Sequence, residues 1–258
     1  MLGACGEKTT SSSTTPSATA TSAASDLTQA EKDYLAEKGT LQVGAFVDYP
    51  PFGFVDGSGK AIGMSIDYWN LVAERLGVKV EYTPELFADQ LDGLKQDRFD
   101  SLAGIFPLEE RRQWFDFSNP YTTVDTRIYV TSDLAADHTT LDSLKGLTVA
   151  VVKDDSSQEI ADKAGLTTAV FDSYEQAVTA LDTGDAQALI LDELVAEYYI
   201  KQHKLQSKVT AVGEPVDEGQ MTMPVLKGDT VLLGILNKGI GMVGDSEWEA
   251  IQEKWLGE

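Results

Sequence analysis

Cysteine is nearly absent from this chain of 258 residues: Cys5 stands alone, so no disulfide can form within it. Histidine is almost as scarce, with only His138 and His203. A structural zinc site takes about four Cys or His ligands at tight spacing, which this chain cannot supply. No metal and no cofactor is therefore expected. Ser-His-Asp or Cys-His catalysis would rest on one of two isolated histidines without a nucleophile-elbow pattern, so no catalytic residue is assigned. Basic residues are also few, 20 Lys and Arg against 42 Asp and Glu, for a formal net charge of −22. Neutralising phosphates needs clustered cations, which argues against nucleic acid as a partner. An anionic membrane surface would repel this body unless a covalent anchor held it. No apolar run approaches the roughly 18 residues of a transmembrane helix. What is present is 42% hydrophobic and 9% aromatic residues, enough to build a core and to exclude wholesale disorder.

The N-terminal segment is unlike the rest. Leu2-Gly3-Ala4-Cys5 looks like a bacterial lipobox, in which Cys5 becomes the lipidated first residue. From Thr9 to Ser25 every residue is Ser, Thr or Ala except Pro16. Such a run has little to bury and reads as a solvated tether. The basic and hydrophobic parts of a signal peptide do not precede Leu2, which reads as a trimmed or late start. The plainer alternative is an accidental Cys in a disordered tail.

The body, from about Asp26 on, alternates strand and helix signals. Thr28-Gln29-Ala30-Glu31 is a capping-box pattern opening a helix to about Lys38. Strands are expected over 41–46, 78–82 and 99–103, helices over 66–76 and 88–96, and an irregular hairpin over 52–62 with its turn at Asp56-Gly57-Ser58-Gly59. A second alternation follows, with strands over 147–152, 169–171 and 188–191 and helices over 156–164, 174–181 and 193–202. Two terminal helices are expected over 231–243 and 247–255. Two such runs suggest two α/β lobes with mainly parallel sheets. Gly239-Ile240-Gly241-Met242-Val243-Gly244 matches the dinucleotide fingerprint, but Leu232, Leu236, Ile240 and Val243 keep helical spacing through it. It reads as a glycine-weakened amphipathic helix. Gly57-Ser58-Gly59-Lys60 is too short for a phosphate loop and reads as a turn.

Several segments then form an ordered series: Asp48-Tyr49-Pro50-Pro51-Phe52, Gly63-Met64-Ser65-Ile66-Asp67, Gly104-Ile105-Phe106-Pro107-Leu108-Glu109-Glu110-Arg111 and Phe115-Asp116-Phe117-Ser118-Asn119-Pro120-Tyr121. Gly184-Asp185-Ala186, Leu191-Asp192-Glu193 and Trp248 to Trp255 complete it. From about Leu41 to Glu258 the chain resembles bacterial extracellular solute-binding proteins of the polar amino acid family, which serve ABC importers and also form sensor domains. The resemblance implies a type II periplasmic-binding-protein fold, in which two lobes joined by a two-strand hinge close on a small ligand. Lobe 1 would be 26–125 plus 222–258, and lobe 2 would be 126–221, with residues 1–25 as tether. The hinge would lie near 124–129 and 218–223.

Residue by residue, Arg111 matches the family arginine that grips an α-carboxylate, a task suited to a planar guanidinium. A surface arginine is the alternative, as expected for Arg112. Asp192 matches the acid that receives the α-ammonium, and could also N-cap the following helix. Ser156 and Ser157 match a hydroxyl pair at a helix N-terminus that favours an anion. Asp155, however, stands where the family usually has Gly, and its carboxylate would compete with the ligand's. Gly104 matches a position whose carbonyl accepts from the ammonium. Tyr49 and Phe52 match the aromatic loop over the ligand side chain, although Phe52 could equally pack in the core. Phe106 replaces a common Ser or Thr, and Phe46 occupies a position where basic-ligand relatives often carry an acid. With no carboxylate besides Asp192 placed for a second cation, the expected ligand is a neutral, apolar or aromatic amino acid.

The leading expectation is thus a lipid-tethered, extracytoplasmic receptor, monomeric and non-enzymatic, that delivers an amino acid to an ABC permease. A sensor input domain would be fused to a transmembrane helix and an effector. A dehydratase-like enzyme on the same fold would need a tuned general acid near the substrate, for which Asp155 is the one unexpected acid.

Overall fold

The computed structural model describes residues 27–256, so the expected lipidation site Cys5 and the tether lie outside the described residues. Helix α1 (Gln29–Lys38) opens on the expected capping box. Glu31 N–H donates to Thr28 Oγ1 at 3.3 Å, and Thr28 N–H donates to Glu31 Oε2 at 2.6 Å. Strand β1 (Thr40–Phe46) follows, then the short β2 (Asp48–Tyr49), β3 (Gly53–Val55) and β4 (Ala61–Ile62), which pair antiparallel in that order. Helix α2 (Met64–Leu76) starts earlier than the periodicity indicates, because the preceding loop supplies acceptors for its first N–H groups. Pro51 O accepts from Met64 N–H at 2.9 Å and Phe52 O from Ser65 N–H at 2.8 Å. Gly63 permits this close approach: at its φ of +130°, a Cβ would lie 2.3 Å from Phe52 O. The loop bearing Tyr49 and Phe52 is thereby fastened to a helix.

Strand β5 (Lys79–Glu85), helix α3 (Phe87–Lys95) and strand β6 (Ser101–Leu102) complete the first sheet, ordered β5-β1-β6 and wholly parallel. Pro84 is tolerated because β5 is an edge strand. The strand expected over 99–103 shrinks to two residues. The Asp100 carboxylate, rather than strand backbone, takes the Gln42 N–H at 2.7 Å.

A 3₁₀ turn over Glu109–Gln113 and strand β7 (Phe115–Phe117) lead to the long β8 (Thr122–Thr131). The second lobe then runs β9 (Thr148–Val152), α4 (Ser156–Lys163), β10 (Thr167–Phe171), α5 (Tyr174–Thr183), β11 (Ala188–Asp192), α6 (Glu193–Gln202) and β12 (Val209–Met221). Its sheet is ordered β10-β9-β11-β8-β12. Neighbours among β10, β9 and β11 pair parallel, whereas β8 is antiparallel to both β11 and β12. This sheet is mixed rather than mainly parallel, because β8 and β12 connect the lobes instead of belonging to βαβ crossovers. Val149 and Val151 face one apolar layer and Ala150 and Val152 another, so both faces of β9 are covered.

The chain returns through β13 (Pro224–Leu226), antiparallel to β7, and ends with α7 (Thr230–Ile240) and α8 (Asp245–Leu256), both packed on α2. The glycine fingerprint spans the end of α7 and the turn into α8, so it follows a helix rather than the strand a dinucleotide site requires. Gly239 is buried against α2, where a Cβ would lie 2.8 Å from Val72 Cγ1.

Candidate functional site

The C-terminal ends of the parallel strands face one another across a cavity, the usual ligand position in α/β sheets. From the first lobe it is lined by Phe46 ending β1, Tyr49 in β2, Phe87 at the start of α3, Gly104, Ile105 and Phe106 after β6, and Arg111 on the 3₁₀ turn. From the second it takes Asp155 after β9, Tyr174 at the start of α5 and Asp192 at the end of β11, with Met221 ending the crossing strand β12. The volume is about 10 Å³, measured over the positions a water's centre can occupy. That is room for roughly one water, so a larger guest requires the lobes to part.

Arg111 is buried at 5% exposure. Its Nη1 donates to Phe106 O at 3.0 Å and its Nη2 to Asp154 O at 2.7 Å, while Nε has no partner among the described residues. The guanidinium lies 5.2 Å from the Phe87 ring centre. Burial pushes its pKa down, against the opposing pull of Asp155. Arg112, by contrast, is exposed and pairs with Glu109, as a surface residue should.

Asp192 heads α6 but makes no side-chain cap bond. Its carboxylate instead accepts from Thr126 Oγ1 at 2.7 Å and from the Tyr49 hydroxyl, a contact that spans the two lobes. Burial, with the nearby Asp155, pushes its pKa up to about 7, while the two hydroxyl bonds pull it down. Burial and the adjacent carboxylates raise the Tyr49 hydroxyl well above its ordinary range.

Asp155 is the N-cap of α4. Its Oδ1 accepts from Ser157 N–H at 3.0 Å and Ser157 Oγ at 2.7 Å, and its Oδ2 from Tyr174 OH at 3.1 Å. The serine pair therefore does not line the cavity. Ser157 holds Asp155, and Ser156 opens onto an outer groove with Leu108, Leu141 and Ile160. The carboxylate of Asp155 occupies the helix N-terminus that the serines were expected to offer to a ligand. Phe52 also stays outside the cavity. It is fully buried, stacks on Tyr49 at 5.3 Å and packs in the core.

The remaining expected residues converge. Phe46 lies 4.5 Å from Tyr49 and 5.9 Å from Phe87, ring to ring. Phe106 presses on the backbone of β12, where a Cβ at Gly219 would come within 2.5 Å of its ring. Gly104 leaves space for Met221 Sδ and Tyr121 OH, each 2.6 Å from where its Cβ would be. Phe87, Ile105, Tyr174 and Met221 were not foreseen, whereas Asp155 lines the cavity as the unexpected acid near the ligand. Phe87 and Tyr174 each open a helix, as Asp192 precedes one, and the strand-end rule that singled out Asp192 reaches them too. The expectation of an apolar ligand rested on the rings of Phe46, Tyr49 and Phe106, which do line the cavity, and on the lack of a second carboxylate, a ground that Asp155 removes.

Beside the cavity, Asp48 joins the lobes. Its carboxylate accepts from Tyr174 N–H at 3.0 Å and its carbonyl from Tyr199 OH at 2.7 Å. Burial pushes its pKa up to about 6.

The family model described as bacterial extracellular solute-binding proteins, family 3, matches residues 41–258. The L-cystine-binding protein TcyJ of Escherichia coli (strain K12) is 29% identical over 225 residues, 86% of this chain and 84% of that protein. An ancestral arginine-binding protein, solved with arginine bound, is 35% identical with a TM-score of 0.77, over 85% of this chain and 99% of that one. A histidine kinase sensor domain with similarity to periplasmic binding proteins is 28% identical with a TM-score of 0.79, over 84% and 96%.

Proposed function

This chain belongs to family 3 of the bacterial extracellular solute-binding proteins, and from that premise we propose that it captures an amino acid between its lobes and delivers it to an ABC importer. One observation carries the reading. A buried guanidinium with an unpartnered Nε and a carboxylate free of capping duty line the same cavity. Arg111 takes the ligand's carboxylate as a charge-assisted pair, and Asp192 takes its ammonium once Tyr49 releases it. Phe46, Tyr49 and Phe106 form the walls against the ligand's apolar portion, with Gly104 at the floor. The names of the relatives support the ligand class, since cystine and arginine are both amino acids.

The lobes divide at 26–125 plus 222–258 and 126–221. The hinge lies where β8 and β12 pair, and Gly219 opposite Val124 falls within it. The protein acts outside the cytoplasm as a monomer, held to the membrane by lipid on Cys5, and releases its ligand unchanged. The likeness to a sensor domain supports a second reading, in which the same closure signals rather than transports.

A thermal-shift screen against the amino acids, followed by calorimetry, tests the ligand class. A true ligand at about 100 times its Kd raises stability by roughly 2.7 kcal/mol. If no amino acid shifts the melting temperature and none gives heat, the proposal is wrong.

A further inference from the structure

Three charged side chains line the cavity: Arg111 on one lobe, Asp155 and Asp192 on the other. The capping of α4 does not account for Asp155. All its bonds from the start of the helix fall on Oδ1, from Ser157 N–H and Oγ and from Ser156 Oγ at 3.5 Å. Asn or Ser would cap as well, so neither Oδ2 nor the negative charge is needed for that purpose. Among the described residues Oδ2 accepts only from Tyr174 OH, at 3.1 Å, and a carboxylate oxygen has room for about two donors. The side chain is 7% exposed, and its field reaches Asp192, whose proton affinity it raises.

A zwitterion leaves this site unbalanced. Its carboxylate offsets Arg111 and its ammonium offsets Asp192, which strands Asp155 in a closed, ring-walled cavity. Burying an unpaired charge is strongly unfavourable. We propose that Asp155 is a specificity-determining residue and that the ligand it selects carries one net positive charge. Two chemistries provide that charge. An amino acid with a cationic side chain sets its second cation against Asp155. An amine without a carboxylate leaves Asp155 to offset Arg111 and binds Asp192 alone. The rings of Tyr49 and Tyr174, which line the cavity, suit a cation in either case. The inference rests on the reading of this cavity as a solute site.

The test uses matched pairs and the whole chain. L-arginine and L-citrulline are nearly isosteric but differ by one charge, and isopentylamine is L-leucine without its carboxylate. Calorimetry is run on the wild type and on Asp155→Asn, which keeps the Oδ1 acceptor and hence the cap. In the wild type, the cation of at least one pair is expected to bind about tenfold or more tighter than its neutral partner. The arginine pair reports a cationic side chain, and the isopentylamine pair reports an amine. Asp155→Asn is expected to bring that ratio close to one. Should the variant fold poorly, Asp155→Ser retains a cap and gives the same readout. Equal or tighter binding of citrulline and leucine by the wild type overturns this inference but leaves the amino acid receptor standing. A charge preference that survives in the variant also overturns it. Failure of all four probes also overturns this inference, and the solute-site reading falls with it only if the full amino acid screen fails as well.

Discussion

At the scale of single residues, the site depends on groups whose hydrogen-bonding capacity is only partly used. Arg111 spends Nη1 and Nη2 on backbone carbonyls of both lobes and keeps Nε free, although its side chain is buried. Arg111→Ala is therefore expected to weaken a carboxylate-bearing ligand by about 2–5 kcal/mol, or roughly 30- to several-thousand-fold. Calorimetry giving near wild-type affinity would refute the assignment. Asp192→Asn should weaken amino acids while sparing the matching α-keto acids, which have no ammonium. Equal loss of both would make Asp192 a positioning residue for Tyr49 and Thr126. These two residues were legible because each sits in a distinctive local pattern: Arg111 after a Pro-Leu-Glu-Glu run, Asp192 at the end of an apolar strand. Asp155 was legible as an unexpected acid near the ligand, but not in its pairing. Whether a carboxylate at a helix start merely caps or also faces a ligand depends on what the other lobe brings opposite it. Here that is Arg111, 44 positions earlier in the chain, and nothing local encodes the meeting.

At the scale of elements, hydrophobic periodicity located the helices and strands of the two α/β alternations but gave no strand at β7, β8, β12 or β13 and misplaced some ends, for identifiable reasons. The terminal helix was expected to reach Val243, since Val243 continues the apolar spacing and does pack against the core. The helix nevertheless ends at Ile240, because Met242 and Val243 bond back to Gly239 and Ile240 in tighter turns at 3.1 Å each. Side-chain spacing reports burial, whereas the backbone bonds depend on the glycines. Gly239 also sets how closely α7 approaches α2. Ala at this position would gain about 1 kcal/mol of helix propensity. Its Cβ would, however, fall 2.8 Å from Val72 Cγ1, on a stiff β-branched side chain, and 2.9 Å from Leu76 Cδ1. Overpacking of this kind costs about 1–3 kcal/mol. Gly239→Val, which adds bulk and gives up much of the propensity gain, is expected to lower the melting temperature by several degrees. Unchanged melting would mean that the two helices separate at little cost. The mixed second sheet was harder to foresee. The resemblance gave β8 and β12 only as hinge crossings near 124–129 and 218–223, and nothing local shows that β8 runs opposite to both of its neighbours, β11 and β12.

At the scale of the whole molecule, contacts between the lobes make closure sensitive to pH. Asp48 lies in the closed interface, taking Tyr174 N–H on its carboxylate and Tyr199 OH on its carbonyl. Burial raises its pKa to about 6, outweighing the Tyr174 bond, and Glu175 nearby acts in the same direction. Once the lobes part and water reaches the carboxyl, its pKa returns toward the ordinary 3.8. The closed form thus binds the proton more tightly, so its advantage is fully present below about pH 4. It is lost as pH rises through about 6. Two pKa units correspond to about 3 kcal/mol at most, with residual exposure of the group reducing that figure. Asp192, raised to about 7, adds a contribution of the same sign in the ligand-free molecule, which a bound cation would reverse. The ligand-free protein is therefore expected to be more open at pH 8 than at pH 5, seen as a larger radius of gyration in solution scattering. The large negative charge acts in the same direction through repulsion between lobes, so the contribution of Asp48 must be read by difference. Asp48→Asn keeps an acceptor for Tyr174 N–H and removes the titration. Its scattering should change less between pH 4 and 6 than that of the wild type, with the higher-pH limb preserved. If the variant keeps the full response over that interval, Asp48 does not control closure, and the opening belongs to the general charge and to Asp192.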